Sequence, residues 1–249
     1  RGEFVLSVAY RRDASVIIAQ RVPYTLAIAL AAHALSTVIG LLLGIYAARR
    51  QYSVGDNVAA VFAFLATSVP RFSMALIIVY VLAFGLGQQS VSSLFSPEYR
   101  LAPWSFAKFL DLIKHVWPVV FIAGFGGGAR NLRVMRGNLL DVLNAQYVTT
   151  ARSKGLKEND VIYQHAVPNA LHPIIAYQGA IFPYMLQGEL EAAIVIGIPT
   201  IAPLFLDSLQ NQDIYITGSL LLLYGVMLVV GNFLSDVALA ALDPRIKAA

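Results

Sequence analysis

Three ionisable side chains, Arg71, Glu189 and Glu191, stand inside otherwise apolar stretches of the sequence. A charge held in hydrocarbon costs on the order of 3 kcal/mol or more, so such residues turn toward a polar passage or pair with one another. Arg71 follows Pro70, whose ring removes a helix hydrogen bond, and broken backbone beside a charge points to a central polar passage. A purely structural Arg71–Glu189 or Arg71–Glu191 ion pair is the alternative. His33 lies in another apolar run and reads first as a helix-packing hydrogen bonder, second as a contact for a solute in that passage. Residues 145–174, AQYVTTARSKGLKENDVIYQHAVPNALHPII, form the longest polar, cationic interruption of the chain and offer a mechanical role. No enzyme constellation accompanies these groups. His33, His115, His165 and His172 are scattered, with no His-Glu-x-x-His helix, no Gly-x-Ser-x-Gly elbow and no Gly-x4-Gly-Lys-Ser/Thr phosphate loop. With no cysteine, disulfides and thiolate metal sites are excluded.

The elements that must carry these residues are membrane helices. Of 249 residues, 58% are hydrophobic and 13% charged, with a mean hydropathy of +0.67. Soluble domains are roughly a quarter charged. Half that share with long apolar runs predicts an all-α polytopic membrane bundle. Spans are expected at 22–48, 57–86 with an interruption at Pro70 and Arg71, 116–140, 173–198 and 214–242. The bundle domain is thus 22–242, preceded by an external segment 1–21 whose residues 14–21 read as a short surface helix, and followed by a tail at 243–249. Residues 104–115 read as an interfacial helix anchored by Trp104, with Phe106, Phe109, Leu110 and Ile113 opposite Lys108, Asp111 and Lys114. Residues 200–213 are expected as an external loop. Gly124, Gly126, Gly127 and Gly128, with Ala27, Ala31, Ala32 and Ala34, offer faces for close helix approach.

The net charge of +4 is informative through its distribution. Arg49, Arg50, Arg130, Arg133, Arg136, Arg152, Lys154, Lys157, Arg245 and Lys247 fall on one side of the predicted spans, against Arg100, Lys108 and Lys114 in the loops of the other. The first side is therefore read as cytoplasmic, with the 145–172 loop and the C-terminus inside. No basic patch outside these loops suggests nucleic-acid binding. The first span then starts outside, against the charge rule at Arg11, Arg12 and Arg21, and an N-terminal transmembrane helix is expected before Arg1.

Within the cationic stretch, 146–154 reads as a helix with basic residues near its C-terminal end, where the helix dipole favours them. Gly155 is expected as a left-handed cap. Glu158 and Asp160 open a second helix. Pro168 is expected outside the helical run, and Pro173 in the first turn of the next, apolar helix. Positive-inside topology by itself accounts for Arg152, Lys154 and Lys157.

This stretch resembles the Glu-Ala-Ala loop of binding-protein-dependent ABC transporter permeases. Gly155 matches the Gly of that pattern, Ala151 its second Ala and Val167-Pro168 its Leu-Pro, while Thr149, Thr150 and His165 depart from it. Residues 147–156, YVTTARSKGL, are similar to the YVRTARAKGL of the oligopeptide/dipeptide branch. The likeness extends to 16–26 (VIIAQRVPYTL), 68–72 (SVPRF), 133–143 (RVMRGNLLDVL) and the ending LDPRI at 242–246. It implies a type I importer permease fold in a bacterial inner membrane, with five spans here. It also implies a coupling helix in which Tyr147, Thr150, Ala151, Arg152, Lys154, Gly155, Leu156 and Pro168 meet an ATPase. The implied partners are a second, different permease chain, two ATPase subunits that bind ATP and Mg, and a periplasmic or extracellular substrate-binding protein. No cofactor is implied in this chain, and the implied solutes are oligopeptides or dipeptides. One region departs: where the family carries Val-Glu-Thr-Val-Phe, residues 192–202 read AAIVIGIPTIA, with Ala193 in place of the Glu. That segment looks closer to a branch whose relatives include oligosaccharide carriers, so oligosaccharides or another small solute are the alternative. A stand-alone secondary transporter would be expected to carry inverted repeats, and none is visible.

Overall fold

The computed structural model describes Ser7, residues 10–88 and residues 91–242, less the side chains of 176–177, 179–187, 235 and 238–242. The tail at 243–249 and most of 1–9 lie outside the described residues. Among the described residues every regular element is a helix. The order is α1 (Ala14–Arg49), α2 (Val54–Ser68), α3 (Arg71–Tyr80) with a π turn at Val81–Gly85, α4 (Phe106–Leu143), α5 (Gln146–Ser153), α6 (Glu158–Asp160) with a π turn at Val161–Ala166, α7 (Val167–Ile196), α8 (Ile201–Gln210) and α9 (Ile214–Leu242). Three helices are long and apolar enough to cross a membrane, rising to five if α2 with α3 and the end of α7 with α8 each count as one broken span.

Several expected boundaries are absent. The surface helix at 14–21 and the first span are one helix, with Pro23 inside it. The reason is packing: Ala14, Ile17 and Ile18 are buried against Ile201, Leu204, Ile216 and Leu220, so these turns are core, not surface. Likewise the interfacial helix and the third span fuse into α4, across Pro118. Its first turns are inverted from expectation. Phe106, Phe109, Leu110 and Ile113 are exposed, while Lys108 and Asp111 are buried. Asp111 accepts the Ser96 N–H and hydroxyl, both at 2.7 Å. Lys108 Nζ donates to the Ala102 carbonyl at 2.6 Å and lies 4.8 Å from the centre of the Phe95 ring. In a membrane protein the apolar face turns outward, and satisfied polar groups turn in. The expected 200–213 loop is largely α8, bent by 76° from the end of α7 and capped by the Thr200 hydroxyl on the Ala202 N–H. Pro168 does not stop a helix either; it is the second residue of α7, and Pro173 lies further along the same helix.

Two compact units share the chain. The first comprises Arg1–Ala32, Val69–Gly124 and Pro183–Val229, the second His33–Ser68, Phe125–Phe182 and Val230–Ala249. The first has its core around Ile28, Val119, Ile122, Ala192, Ala193 and Ile196. In the second, Met135, Leu139, Val148, Val161, Ala166 and Ile174 form the main cluster. There α1 and α4 approach closely. A Cβ on Gly40 would come within 2.6 Å of the Gly128 carbonyl oxygen, and one on Gly44 within 2.7 Å of Met135 Cβ. Gly124, Gly126 and Gly127 are buried within this chain, so the glycine face expected for helix association serves the chain's own packing.

Candidate functional site

The second unit builds the elbow. Helix α5 starts at Gln146, after Ala145 whose backbone is extended, and presents two faces. Val148 and Ala151 are buried in the Met135–Leu139 cluster, and burying a valine contributes about 2 kcal/mol. Tyr147, Thr150, Arg152 and Lys154 lie on the exposed face, followed by exposed Gly155 and Leu156. Ala151 therefore is a floor residue and not part of the outward surface. Gly155 turns the chain with φ +78° and has no atom within 4 Å of where a Cβ would stand, so its requirement for glycine is conformational and not steric.

Arg152 clips the elbow shut. Its Nε and Nη2 donate to the two oxygens of Glu158 at 3.1 and 2.8 Å, and its Nη1 to the Leu143 carbonyl at 3.4 Å. This bidentate bond holds the Glu158 carboxyl below the ordinary glutamate range. Arg152 is thus engaged within the elbow. Pro168 is exposed, beyond the π turn. Asn138 Nδ2 donates to the Ala170 carbonyl at 3.3 Å and ties α4 to α7.

The first unit gathers Arg71, Glu189 and Glu191. Arg71 Nη1 lies 3.7 Å from Glu191 Oε1, an ion pair without close contact. Glu189 is fully buried. Among the described residues no donor meets either of its oxygens with hydrogen-bond geometry, and the Tyr224 hydroxyl is likewise buried without a partner. Thr200 and Tyr224 are polar side chains near Glu189. Gly188 makes room for Arg71: a Cβ there would stand 3.2 Å from Arg71 Cζ and 3.2 Å from Ala123 Cα. The Arg71–Glu191 pair left open by the sequence is therefore present, and Glu189, two residues before Glu191, has no pair of its own among the described residues. His33 falls in the second unit, half-buried, and its carbonyl accepts the Ser36 hydroxyl at 2.9 Å.

One ion pair escaped the sequence reading. Arg136, read there only as a topology charge, donates from Nε and Nη2 to Asp56 at 2.7 and 2.8 Å. Asp56 is buried and also accepts the Tyr52 N–H at 2.9 Å. The available signal was a lone acid at the entrance of an apolar run, two residues after Val54.

A multi-pass helical bundle with a polar elbow and buried charges defines a membrane transport component, and similarity to known proteins agrees. Residues 40–248 match the family described as the binding-protein-dependent transport system inner membrane component. The chain is 31% identical to the oligopeptide transport system permease protein AppB of Bacillus subtilis over 99% of this chain and 77% of that protein. It is 29% identical to OppB of Haemophilus influenzae, also an oligopeptide transport system permease protein, over 99% and 76%. It is 28% identical to the dipeptide transport system permease protein DppB of Lactococcus lactis over 99% and 76%. Its fold matches a chain from the crystal structure of an amino acid ABC transporter with histidines, with a TM-score of 0.64 at 17% identity, over 90% of this chain and 92% of that one. The chain belongs to the binding-protein-dependent transport system inner membrane component family.

Proposed function

We propose that this permease carries oligopeptides or dipeptides inward across a bacterial inner membrane, driven by ATP that partner subunits hydrolyse. The relatives named above are peptide permeases along nearly the whole chain, which supports the solute class. The observation that carries the mechanism is the two-faced α5. Its buried side is keyed into the second unit's core by Val148 and Ala151, and its outward side offers Tyr147, Thr150, Lys154 and Leu156. A short helix held this way transmits force: a domain that pushes on the outward face moves the cluster beneath it. On this reading the ATPase docks at α5, with its ATP and Mg held outside this chain. A second, different permease supplies the other elbow, and an external binding protein delivers solute. The elbow and the C-terminus then face the cytoplasm. Arg71, Glu189 and Glu191 line or gate the passage.

The test is reconstitution with the co-expressed partners, followed by mass spectrometry of the ligand held by the binding protein. A cysteine at Thr150 should crosslink to the ATPase, since the chain carries no native cysteine. Peptides on the binding protein together with a Thr150 crosslink support the reading. Oligosaccharides there would overturn the solute class, and absence of the crosslink would overturn docking at α5.

A further inference from the structure

We propose that the pocket at the elbow end of α1 binds the phosphate headgroup of an anionic phospholipid. The cavity is about 290 Å³ and is lined by Leu42, Ile45, Tyr46, Arg49, Arg50 and Tyr163, all within the second unit. Its two guanidiniums are held in place and not merely solvated. Arg49 Nη1 donates to the Tyr163 hydroxyl and Nη2 to Asn159 Oδ1, both at 2.8 Å, and Arg49 Cζ lies 5.2 Å from the centre of the Tyr163 ring. Arg50 Cζ lies 5.5 Å from the centre of the Tyr46 ring. The Tyr46 ring in turn packs against Gly55, where a Cβ would collide with it. A guanidinium has five N–H donors, so Arg49 keeps donors beyond these two bonds. Among the described residues no carboxylate pairs with Arg49 or Arg50. Of the nearby acids, Glu158 is bonded by Arg152 and reaches Arg49 only through space, and Asp56 is bonded by Arg136.

The shape beside this charge is that of a lipid tail. Leu35, Val38, Ile39 and Leu42 are exposed on α1, and their spacing of three and four residues puts them on one face. That face runs into Tyr46 and then the two arginines. From Leu35 to Tyr46 a helix rises about 16 Å at 1.5 Å per residue, close to half of the roughly 30 Å hydrocarbon core. An acyl chain laid along the stripe therefore brings its phosphate level with Arg49 and Arg50. Two cations at one headgroup select an anionic lipid over a zwitterionic one.

The experiment is native mass spectrometry of the purified full chain, released from nanodiscs of phosphatidylcholine with a minority of phosphatidylglycerol. The wild type should retain phosphatidylglycerol above its share of the disc. Retention should fall about fivefold for each arginine removed in Arg49→Gln and Arg50→Gln, and stay near wild type in Arg49→Lys/Arg50→Lys. Arg50→Gln guards against a folding artefact, because among the described residues Arg50 makes no side-chain bond to the elbow. Lys154→Gln/Lys157→Gln removes the same charge from the elbow and should leave retention unchanged. Equal retention in Arg49→Gln/Arg50→Gln and wild type would overturn the site. So would displacement by millimolar glycerol phosphate, which would mean a free phosphate and not a lipid. Protection of a Tyr46→Cys label by an added ATPase subunit would assign the pocket to a protein partner and equally overturn it.

Discussion

The two units each hold an arginine–carboxylate pair, and the pairs differ in kind. In the second unit Arg136 grips buried Asp56 with two bonds of 2.7 and 2.8 Å, and a backbone N–H completes the acid. In the first unit Arg71 stands 3.7 Å from Glu191, whose side chain is 36% exposed, while Glu189, two residues earlier in the chain, is buried with no hydrogen bond among the described residues. Buried polar groups are nearly always satisfied, so an unsatisfied one asks for a reason. A closed, bidentate pair fixes α2 on α4. The Arg71–Glu191 pair is looser and partly open to its surroundings, and Glu189 is held by no such bond among the described residues. The second unit thus holds its charge pair under the elbow by close, directed bonds, and the first holds its pair by a longer contact.

Breaking the rigid pair should have the largest effect. Asp56→Ala leaves a charge without its partner and should cost about 3 kcal/mol or more, read as a lower thermal midpoint in detergent. Adding Arg136→Met should recover most of that loss. If Asp56→Ala melts like the wild type, the contrast between the units fails.

The elbow comes next. Gly155→Val forces a β-branched residue to φ +78°, at about 1–2 kcal/mol. The reconstituted complex should lose solute-stimulated ATP hydrolysis more than basal hydrolysis, and Gly155→Asn should lose less. Unchanged stimulation in the valine variant would show that elbow geometry does not matter to coupling.

At the loose pair, stability and function should separate. Arg71→Gln should lower the melting midpoint less than Asp56→Ala does, yet lower uptake about tenfold, a change worth about 1.4 kcal/mol in the transport barrier. Glu189→Gln keeps the shape of a buried acid without its charge and should not lower the melting midpoint. Equal stability losses at Arg71 and Asp56 would erase the distinction drawn above.

The smallest effect belongs to the Arg152–Glu158 clip. Because the folded carboxyl is held below its unfolded value, its contribution is present above the unfolded value and is lost as pH falls through the folded one. Both partners are substantially exposed, so the loss is a few tenths of a kcal/mol. Amide protection factors over residues 144–160, corrected for the intrinsic pH dependence of exchange, should fall below about pH 4, and Glu158→Gln should remove that step.

Much of this was legible in the sequence, because the bilayer leaves a chain few choices. Apolar runs must be helices, intramembrane charges must find partners, and Gly155 in a polar stretch marks a left-handed turn. The sequence alone therefore supported the membrane bundle, the elbow and the short list of Arg71, Glu189 and Glu191. Three things waited for the tertiary structure. Helix continuity through Pro23, Pro118 and Pro168 depends on neighbours that hold the backbone together, which a local rule for proline cannot weigh. The inward turn of Lys108 and Asp111 depends on Ser96 and Ala102 supplying their hydrogen bonds, and no periodicity reports that. The partner of each charge is the third. Arg136 and Asp56 stand 80 positions apart, and only the packing of α2 on α4 decides that these two meet while Glu189 finds no equal among the described residues.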